Sequence, residues 1–224
     1  MRVCALIPAY NEAPFITGVV MGALLHVEKV IVIDDGSQDG SAELARAAGA
    51  HCIVMTTNGG KAKALRAGIV LARAEGFTHA ITMDGDGQHL PQDIPALIRT
   101  ASESGADLVI GARPFNRHSM PKSRFYSNTI GSRLASALVG CEIKDSQCGF
   151  RLLRLDRICE SKLRSHRYEF EMEVLIKMAR AGCTIAHAPI QMVYDNGQAR
   201  SKMRPIRDTV RICLWSLAYR FLYV

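Results

Sequence analysis

Hydrophobic positions fall into two alternating patterns over the first half of this chain. Short runs are almost continuously apolar, and the segments between them are apolar only at helical spacing. The runs predict strands at Arg2–Ile7, Lys29–Ile33, Cys52–Met55, Ala80–Met83 and Asp107–Ile110. Lys29-Val30-Ile31-Val32-Ile33 is β-branched enough to be a central strand. The intervening segments predict helices from Glu12 to about His26, and over Ala42–Ala48, Lys61–Ala74 and Asp93–Ser104. Asp39 or Ser41 is placed to cap the second of these. Such a β-α-β-α rhythm implies an α/β fold, a mostly parallel sheet flanked by helices.

The second half is less regular. Helices are expected over Ser127–Leu138, Glu171–Ala181 and Thr209–Val224, and strands over Gly149–Leu153, Thr184–His187 and Ile190–Tyr194. No internal repeat, low-complexity stretch or linker interrupts the 224 residues, a length that suits one large domain with a real core.

Charge changes the picture more than composition does. Hydrophobic and charged fractions of 48% and 22% are ordinary for a globular protein, but the formal net charge is +7. Its basic residues cluster. Between Leu108 and Cys141 there is no Asp or Glu, while Arg113, Arg117, Lys122, Arg124 and Arg133 all fall there. A second cluster holds Arg200, Lys202, Arg204, Arg207 and Arg211. Patches of this kind suit phosphates or an anionic lipid surface. Nucleic acid is disfavoured, because neither cluster has the interleaved aromatics of a base-stacking surface. The seven cysteines are scattered, with no Cys-x-x-Cys, and Cys4, Cys52 and Cys183 lie in apolar runs. Buried free thiols in a reducing cytosol are the expectation. The first strand begins almost at the N-terminus, which argues against a secretory signal. No apolar run is long enough to span a bilayer.

Candidate chemistry gathers at predicted strand ends. Met83-Asp84-Gly85-Asp86-Gly87-Gln88-His89 follows a buried run and places two carboxylates where the strand should stop. Ligands of open α/β sheets bind beyond the carboxyl ends of the strands. Asp-x-Asp there is a grip for a hard divalent cation, and Gly85 and Gly87 let the backbone approach what it holds. Gly59-Gly60-Lys61 precedes a helix, so its amides could face an anion; it is not a P-loop, since no Ser or Thr follows the Lys.

These segments occur in a telling order with Pro8-Ala9-Tyr10-Asn11-Glu12, Ile33-Asp34-Asp35-Gly36-Ser37, Gly111-Ala112-Arg113 and Asp145-Ser146-Gln147-Cys148-Gly149-Phe150-Arg151. The series resembles the family-2 glycosyltransferases of the GT-A, Rossmann-like fold. Within them it is most similar to the polyprenyl-phosphate sugar transferases, the group of dolichyl-phosphate mannose synthase. The resemblance covers nearly the whole chain.

The resemblance implies a set of roles. Asp84, Asp86 and Gln88 would hold Mg²⁺ or Mn²⁺ against the donor diphosphate, with Gly85 beside them. Pro8, Tyr10 and Glu12 would surround the nucleotide, with Tyr10 as a stacking face and Glu12 as an acceptor. Asp35 would bond the base or ribose and Ile33 line that pocket, while Asp34 braces the turn. Lys61 would contact the nucleotide, although relatives often have Gly where this chain has Ala62. Arg113 would meet donor or acceptor phosphates with its fork of donors. Arg124, with Ser127 or Asn128, would grip the acceptor phosphate, and Asp145 would face the reacting centre. Glu169, Glu171 and Glu173 lie where relatives place an acidic helix; a hydroxyl acceptor would need one of them as a base, but a phosphate acceptor would not. Relatives carry Arg-x-x-Gly-x-Ser-Lys near the end, where this chain has Asn196-Gly197-Gln198-Ala199-Arg200-Ser201-Lys202. Lys202 would keep its diphosphate contact and Arg200 would replace the missing Arg.

The expectation is a single domain with a nucleotide-sugar-binding half over 1–112, an acceptor-side half over 113–206 and an amphipathic helix over 207–224. It would move a sugar, with inversion, from a UDP- or GDP-sugar to a dolichyl or undecaprenyl phosphate. The alternative is a hydroxyl acceptor on a glycan or other soluble molecule. The last helix, roughly 27 Å long, is short for a span that carries arginines. It is either a core helix or an interfacial one, so a peripheral enzyme on the cytoplasmic membrane face is expected. Homo-oligomerisation is left open.

Overall fold

The computed structural model describes residues 1–114, 122–159, 163–165, 169–191 and 211. Among these residues seven strands form one sheet: β1 (Val3–Ala9), β2 (Lys29–Asp34), β3 (His51–Val54), β4 (His79–Thr82), β5 (Leu108–Ala112), β6 (Arg151–Arg154) and β7 (Ile185–Pro189). Their order is β3-β2-β1-β4-β6-β5-β7, and every neighbouring pair is parallel except those made by β6. The chain steps outward from β1 through β2 to β3, then returns to the other side of β1 with β4. The sheet therefore reverses its winding between β1 and β4, where open α/β sheets bind their ligands.

The helices are α1 (Ala13–Leu24), α2 (Ser41–Ala47), α3 (Lys61–Ala74), α4 (Ile94–Ser104), α5 (Lys122–Val139), α6 (Leu155–Cys159) and α7 (Phe170–Arg180). A 3-10 turn at Pro91–Asp93 leads into α4. The strand cores are sealed on both faces: Leu6, Ile7, Val30, Ile31, Val32, Ile81, Val109 and Ile110 are fully buried. That double burial is why these strands read as continuous apolar runs.

Differences from the sequence expectation lie in the second half. Helix α5 starts at Lys122, a turn earlier than the periodicity indicates, and α6 was not expected. A strand over Ile190–Tyr194 is not found at Ile190 and Gln191, since β7 ends at Pro189 with one last ladder bond from the Ile190 amide to the Ala112 carbonyl at 3.2 Å; Met192 to Tyr194 lie outside the described residues. The helix expected over Thr209–Val224 also lies outside them, except for Arg211, which is helical. Of the described cysteines Cys4 and Cys148 are buried, whereas Cys52 and Cys183 are half-covered and Cys141 is exposed; all five are free thiols. Cys52 misses full burial because β3 is the edge strand of its side of the sheet.

Strand β6 has the largest consequence. It runs antiparallel between β4 and β5, pairing Arg151 with both Thr82 and Ile110. Its first residue thus meets the carboxyl ends of its neighbours. The segment Asp145–Phe150 is delivered to the same sheet edge as Asp84 and Arg113.

Candidate active site

Two loops leave the carboxyl ends of β1 and β2 and are stitched together. The Asn11 amide donates to Ser37 Oγ at 2.9 Å, and the Gln38 amide donates to Asn11 Oδ1 at 3.0 Å. The Glu12 amide donates to Ser41 Oγ at 2.8 Å, and the Ala13 amide to Asp39 Oδ2 at 2.9 Å. Asp39 therefore serves two helix starts: its Oδ2 takes the first amide of α1, and its Oδ1 accepts the Ser41 amide at the first residue of the expected α2 at 3.1 Å, while Ser41 Oγ caps α1. An open helix start needs donors satisfied, and here the neighbouring loop does it. Asp34 braces its own turn, its Oδ1 accepting the amides of Gly36 and Ser37 at 3.1 and 2.9 Å. Pro8 is half-buried, Tyr10 is 40% exposed at the rim, and Glu12 is half-buried. A Cβ on Gly85 would lie 3.4 Å from Glu12 Cγ, so the β1 and β4 loops face each other across that glycine. Ile33 does not line the crevice. It is fully buried with its Cδ1 against Gly68 of α3, because alternation along β2 turns it into the core.

Asp35 has a partner set that its motif does not announce. Its two oxygens accept the amides of Gly59 and Gly60, each at 2.7 Å. The Gly-Gly amides that looked ready for an external anion are thus held by an internal one. Gly60 sits at φ +84, a conformation that suits glycine, and starts α3 directly at Lys61. Each carboxylate oxygen of Asp35 retains a second lone pair for a ligand.

Lys61 then reaches across the sheet edge. Its Nζ lies 2.6 Å from Asp84 Oδ1 and 2.8 Å from Glu171 Oε1, joining α3, the β4 end and α7. Burial opposes its charge, but the two carboxylates outweigh burial and hold its pKa above the ordinary lysine value. Asp84 likewise feels burial pushing it up; Lys61 and His89 overcome that and bring it to about 2. Among the described residues no cation is paired with Asp86. Burial and the facing Asp84 charge push it up to about 6, with Glu12 adding to the effect and the Gln88 amide, 3.0 Å from Asp86 Oδ1, opposing it. Gln88 itself is buried. His89 lies beneath the loop. Its Nδ1 accepts the Asp84 amide at 3.0 Å, its ring stacks on Phe150 at 5.2 Å, and burial lowers its pKa to about 4. A neutral ring protonated at Nε2 follows from that bond.

Gly149 makes room for the ion cluster. A Cβ there would stand 2.8 Å from Lys61 Nζ and 3.4 Å from both Asp84 Oδ2 and Glu171 Oε1. The Thr82 hydroxyl donates to its carbonyl at 2.7 Å. Two residues on, the buried Arg151 guanidinium donates to the carbonyls of Cys148, Glu171 and Ser146 at 2.8, 2.6 and 2.7 Å. Arg151 staples the turn to α7.

Arg113 and Asp145 are placed together. Arg113 Nη2 donates to Asp145 Oδ1 at 2.8 Å and Nε bonds the other oxygen, a bidentate pair with Asp145 fully buried. The Asp145 carboxylate thus faces Arg113, and orients its fork, where the resemblance has it facing the reacting centre. The inner side of α5 closes this region, with Ser127, Asn128 and Ser132 buried and Ser132 Oγ accepting the Ser146 amide at 3.0 Å. The side chain of Arg124, and all of Arg200 and Lys202, lie outside the described residues.

The acidic helix divides its labour. Glu173 is buried with the amides of Arg164 and Ser165 donating to it at 2.7 and 2.8 Å and Lys177 at 2.7 Å. Glu169 pairs with Arg211 at 2.6 Å. Glu171, left to structure by sequence reasoning, is the one that enters the site; its helical position beside two similar glutamates carries no signal that separates them.

Among the described residues no group of three or more His, Cys, Asp or Glu is assembled to hold a metal ion. A divalent cation fits the donor set in a narrower way. Asp84 and Asp86 supply oxygen ligands, their mutual repulsion favours a cation, and the remaining positions are left for diphosphate oxygens and water, as hard cations at phosphate sites prefer.

Residues 4–158 match the model of the family described as Glycosyl transferase family 2. An undecaprenyl-phosphate mannosyltransferase of Micrococcus luteus is 31% identical across 99% of this chain and 96% of its own length. A polyprenol monophosphomannose synthase of Mycolicibacterium smegmatis is 30% identical across 98% of this chain and 88% of its own. Among solved structures, glucosyl-3-phosphoglycerate synthase of Mycobacterium tuberculosis, in complex with Mn²⁺, UDP-glucose and phosphoglyceric acid, superposes with a TM-score of 0.74 at 20% identity, covering 99% of this chain and 79% of that one.

Proposed function

Because the chain belongs to glycosyl transferase family 2, and is thus a nucleotide-sugar-dependent glycosyltransferase with a GT-A fold, we propose that it glycosylates a polyprenyl phosphate. The observation that carries the acceptor class is the full-length similarity to two polyprenyl-phosphate mannose transferases. The site is in keeping with it. Glu171, the carboxylate of the acidic helix that enters the site, is tied to Lys61, and a phosphate acceptor needs no such base.

The donor's nucleoside would lie along Pro8, Tyr10 and Glu12, with Asp35 offering acceptors from below. Bound against Asp84 and Asp86, Mg²⁺ or Mn²⁺ would act as a Lewis acid that neutralises the departing diphosphate. Arg113, its fork oriented by Asp145, would meet phosphate oxygens together with Arg124, Arg200 and Lys202. An acceptor phosphate oxygen attacks the anomeric carbon, forming the new C–O bond. The bond from that carbon to the diphosphate oxygen breaks, its electron pair leaves with the nucleoside diphosphate, and the configuration inverts. In this scheme 1–112 handles the donor, 113–206 the acceptor, and 207–224 adds an amphipathic helix.

The enzyme would work from the cytoplasmic face as a peripheral protein. Among the described residues no helix is long and apolar enough to cross a membrane. Helix α5 supplies a candidate contact: Tyr126 and Ile130 are 49% and 58% exposed, Arg133 is exposed on the same side, and α5 contains no acidic residue. Such a face suits an anionic leaflet.

The test is a transfer assay with UDP- and GDP-sugars and a short polyprenyl phosphate, with product identified by mass spectrometry. A polyprenyl-phosphate sugar is expected. Transfer to soluble hydroxyl acceptors and none to the lipid would refute the acceptor class.

A further inference from the structure

Lys61 is held at both its backbone and its ammonium. Its backbone is fixed by the Gly59 and Gly60 amides on Asp35, and its ammonium is fixed by Asp84 and Glu171 at 2.6 and 2.8 Å. Glu171 is buried, and the space beside the ammonium is kept open by Gly149. A monovalent cation built into the chain therefore sits on one of the two carboxylates that would grip a divalent one.

We propose that Lys61, positioned by Glu171, is a tethered counter-cation that keeps a divalent metal off Asp84 until a nucleoside diphosphate arrives. Resting on the metal–diphosphate reading above, this makes Lys61 and Glu171 the residues that couple metal capture to donor capture. Without nucleotide, a metal at Asp84 must displace or crowd a charge-assisted contact, and so must approach a like charge held 2.6 Å from the same carboxylate. A diphosphate supplies several negative charges at once. It gives the ammonium a new partner, so Asp84 becomes available to the metal. Coupling of this kind is reciprocal: metal tightens nucleotide by the same factor as nucleotide tightens metal.

The experiment is Mn²⁺ titration of the full chain by electron paramagnetic resonance, alone and with saturating UDP or GDP. In wild type, one of the two nucleotides should tighten Mn²⁺ by at least about tenfold, within the usual range of coupling between sites. Lys61→Met should tighten nucleotide-free Mn²⁺ by about tenfold or more and shrink the gain from nucleotide, a direction that a purely structural lysine would not produce. Because Lys61→Met leaves Glu171 unpaired, the charge-neutral Lys61→Met/Glu171→Gln variant is measured beside it and should show the same tightening. If a folded variant of either kind binds nucleotide-free Mn²⁺ no better than wild type, the proposal is overturned. If wild type binds no Mn²⁺ with either nucleotide, the metal reading itself fails and the proposal falls with it.

Discussion

Gly149→Ala adds one methyl group at the most crowded point of the site. The φ of Gly149 lies outside the left-handed region, so the substitution brings no backbone strain of that kind; the cost is contact. The new Cβ would stand 2.8 Å from Lys61 Nζ. Relief requires a displacement of roughly 0.6–1 Å to reach ordinary van der Waals separation. Residue 149 cannot supply it easily, since its carbonyl accepts the Thr82 hydroxyl and the next ring is stacked on His89. The ammonium must move instead, stretching ion pairs of 2.6 and 2.8 Å. Overpacking of this kind costs about 1–3 kcal/mol. For a domain of this size that corresponds to a fall in Tm of about 2–4 °C per kcal/mol. Urea unfolding and calorimetry would measure it, in wild type and in a Lys61→Ala background where the clashing group is gone. The loss should shrink in that background by about 1 kcal/mol or more, the coupling expected of touching residues. Equal losses in both backgrounds would refute the placement of Lys61 against Gly149.

Other outcomes follow from the same contacts. Glu173→Gln should destabilise the fold by about 3–5 kcal/mol near neutral pH, because it strips a buried carboxylate from Lys177 and two amides. Burial pushes the Glu173 pKa up, but Lys177 and the Ser165 and Arg164 amides outweigh it and lower the pKa. Its contribution is therefore complete above the unfolded value of about 4.3 and is lost as pH falls through the lower folded value, so the variant should show a shallower acid limb in urea midpoints; an unchanged limb would rule it out. EDTA should abolish turnover, and Asp86→Ala should do so with the far-ultraviolet circular dichroism intact; full activity in chelator would sink the metal requirement. Asp35→Ala should free the Gly59–Gly60 turn and weaken nucleoside diphosphate binding at least about tenfold by calorimetry, equivalent to about 1.4 kcal/mol, whereas an unchanged Kd would remove Asp35 from the site. The protein should co-sediment with anionic liposomes, less so at high salt, and truncation after Ile212 or the Tyr126→Ser/Ile130→Ser pair should reduce this; retention in the supernatant at low salt would defeat the membrane reading.

The amino-acid sequence alone determined the strands of the first half and where their chemistry sits. A strand covered on both faces is apolar nearly throughout, so Val30 to Ile33 and Ala80 to Met83 announce themselves, and the carboxylates Asp34, Asp35, Asp84 and Asp86 mark where the apolar runs end. Local pattern also located the glycine that starts α3 and the acid-free basic stretch that includes α5. What it could not determine was which distant groups meet. Nothing local states that β6 enters antiparallel between β4 and β5, yet that insertion brings Asp145 to Arg113 and Gly149 to Lys61. Nor does spacing reveal that Asp35 spends its oxygens on Gly59 and Gly60, that Ile33 turns into the core, or that Glu171 rather than Glu169 or Glu173 reaches the site. Burial is a property each residue carries in its own side chain and its period. Ion pairing is a property of two residues whose separation is set only when the whole sheet closes. The first-half strands were therefore written along the chain, while the insertion of β6 and the charge balance of the site arose from packing.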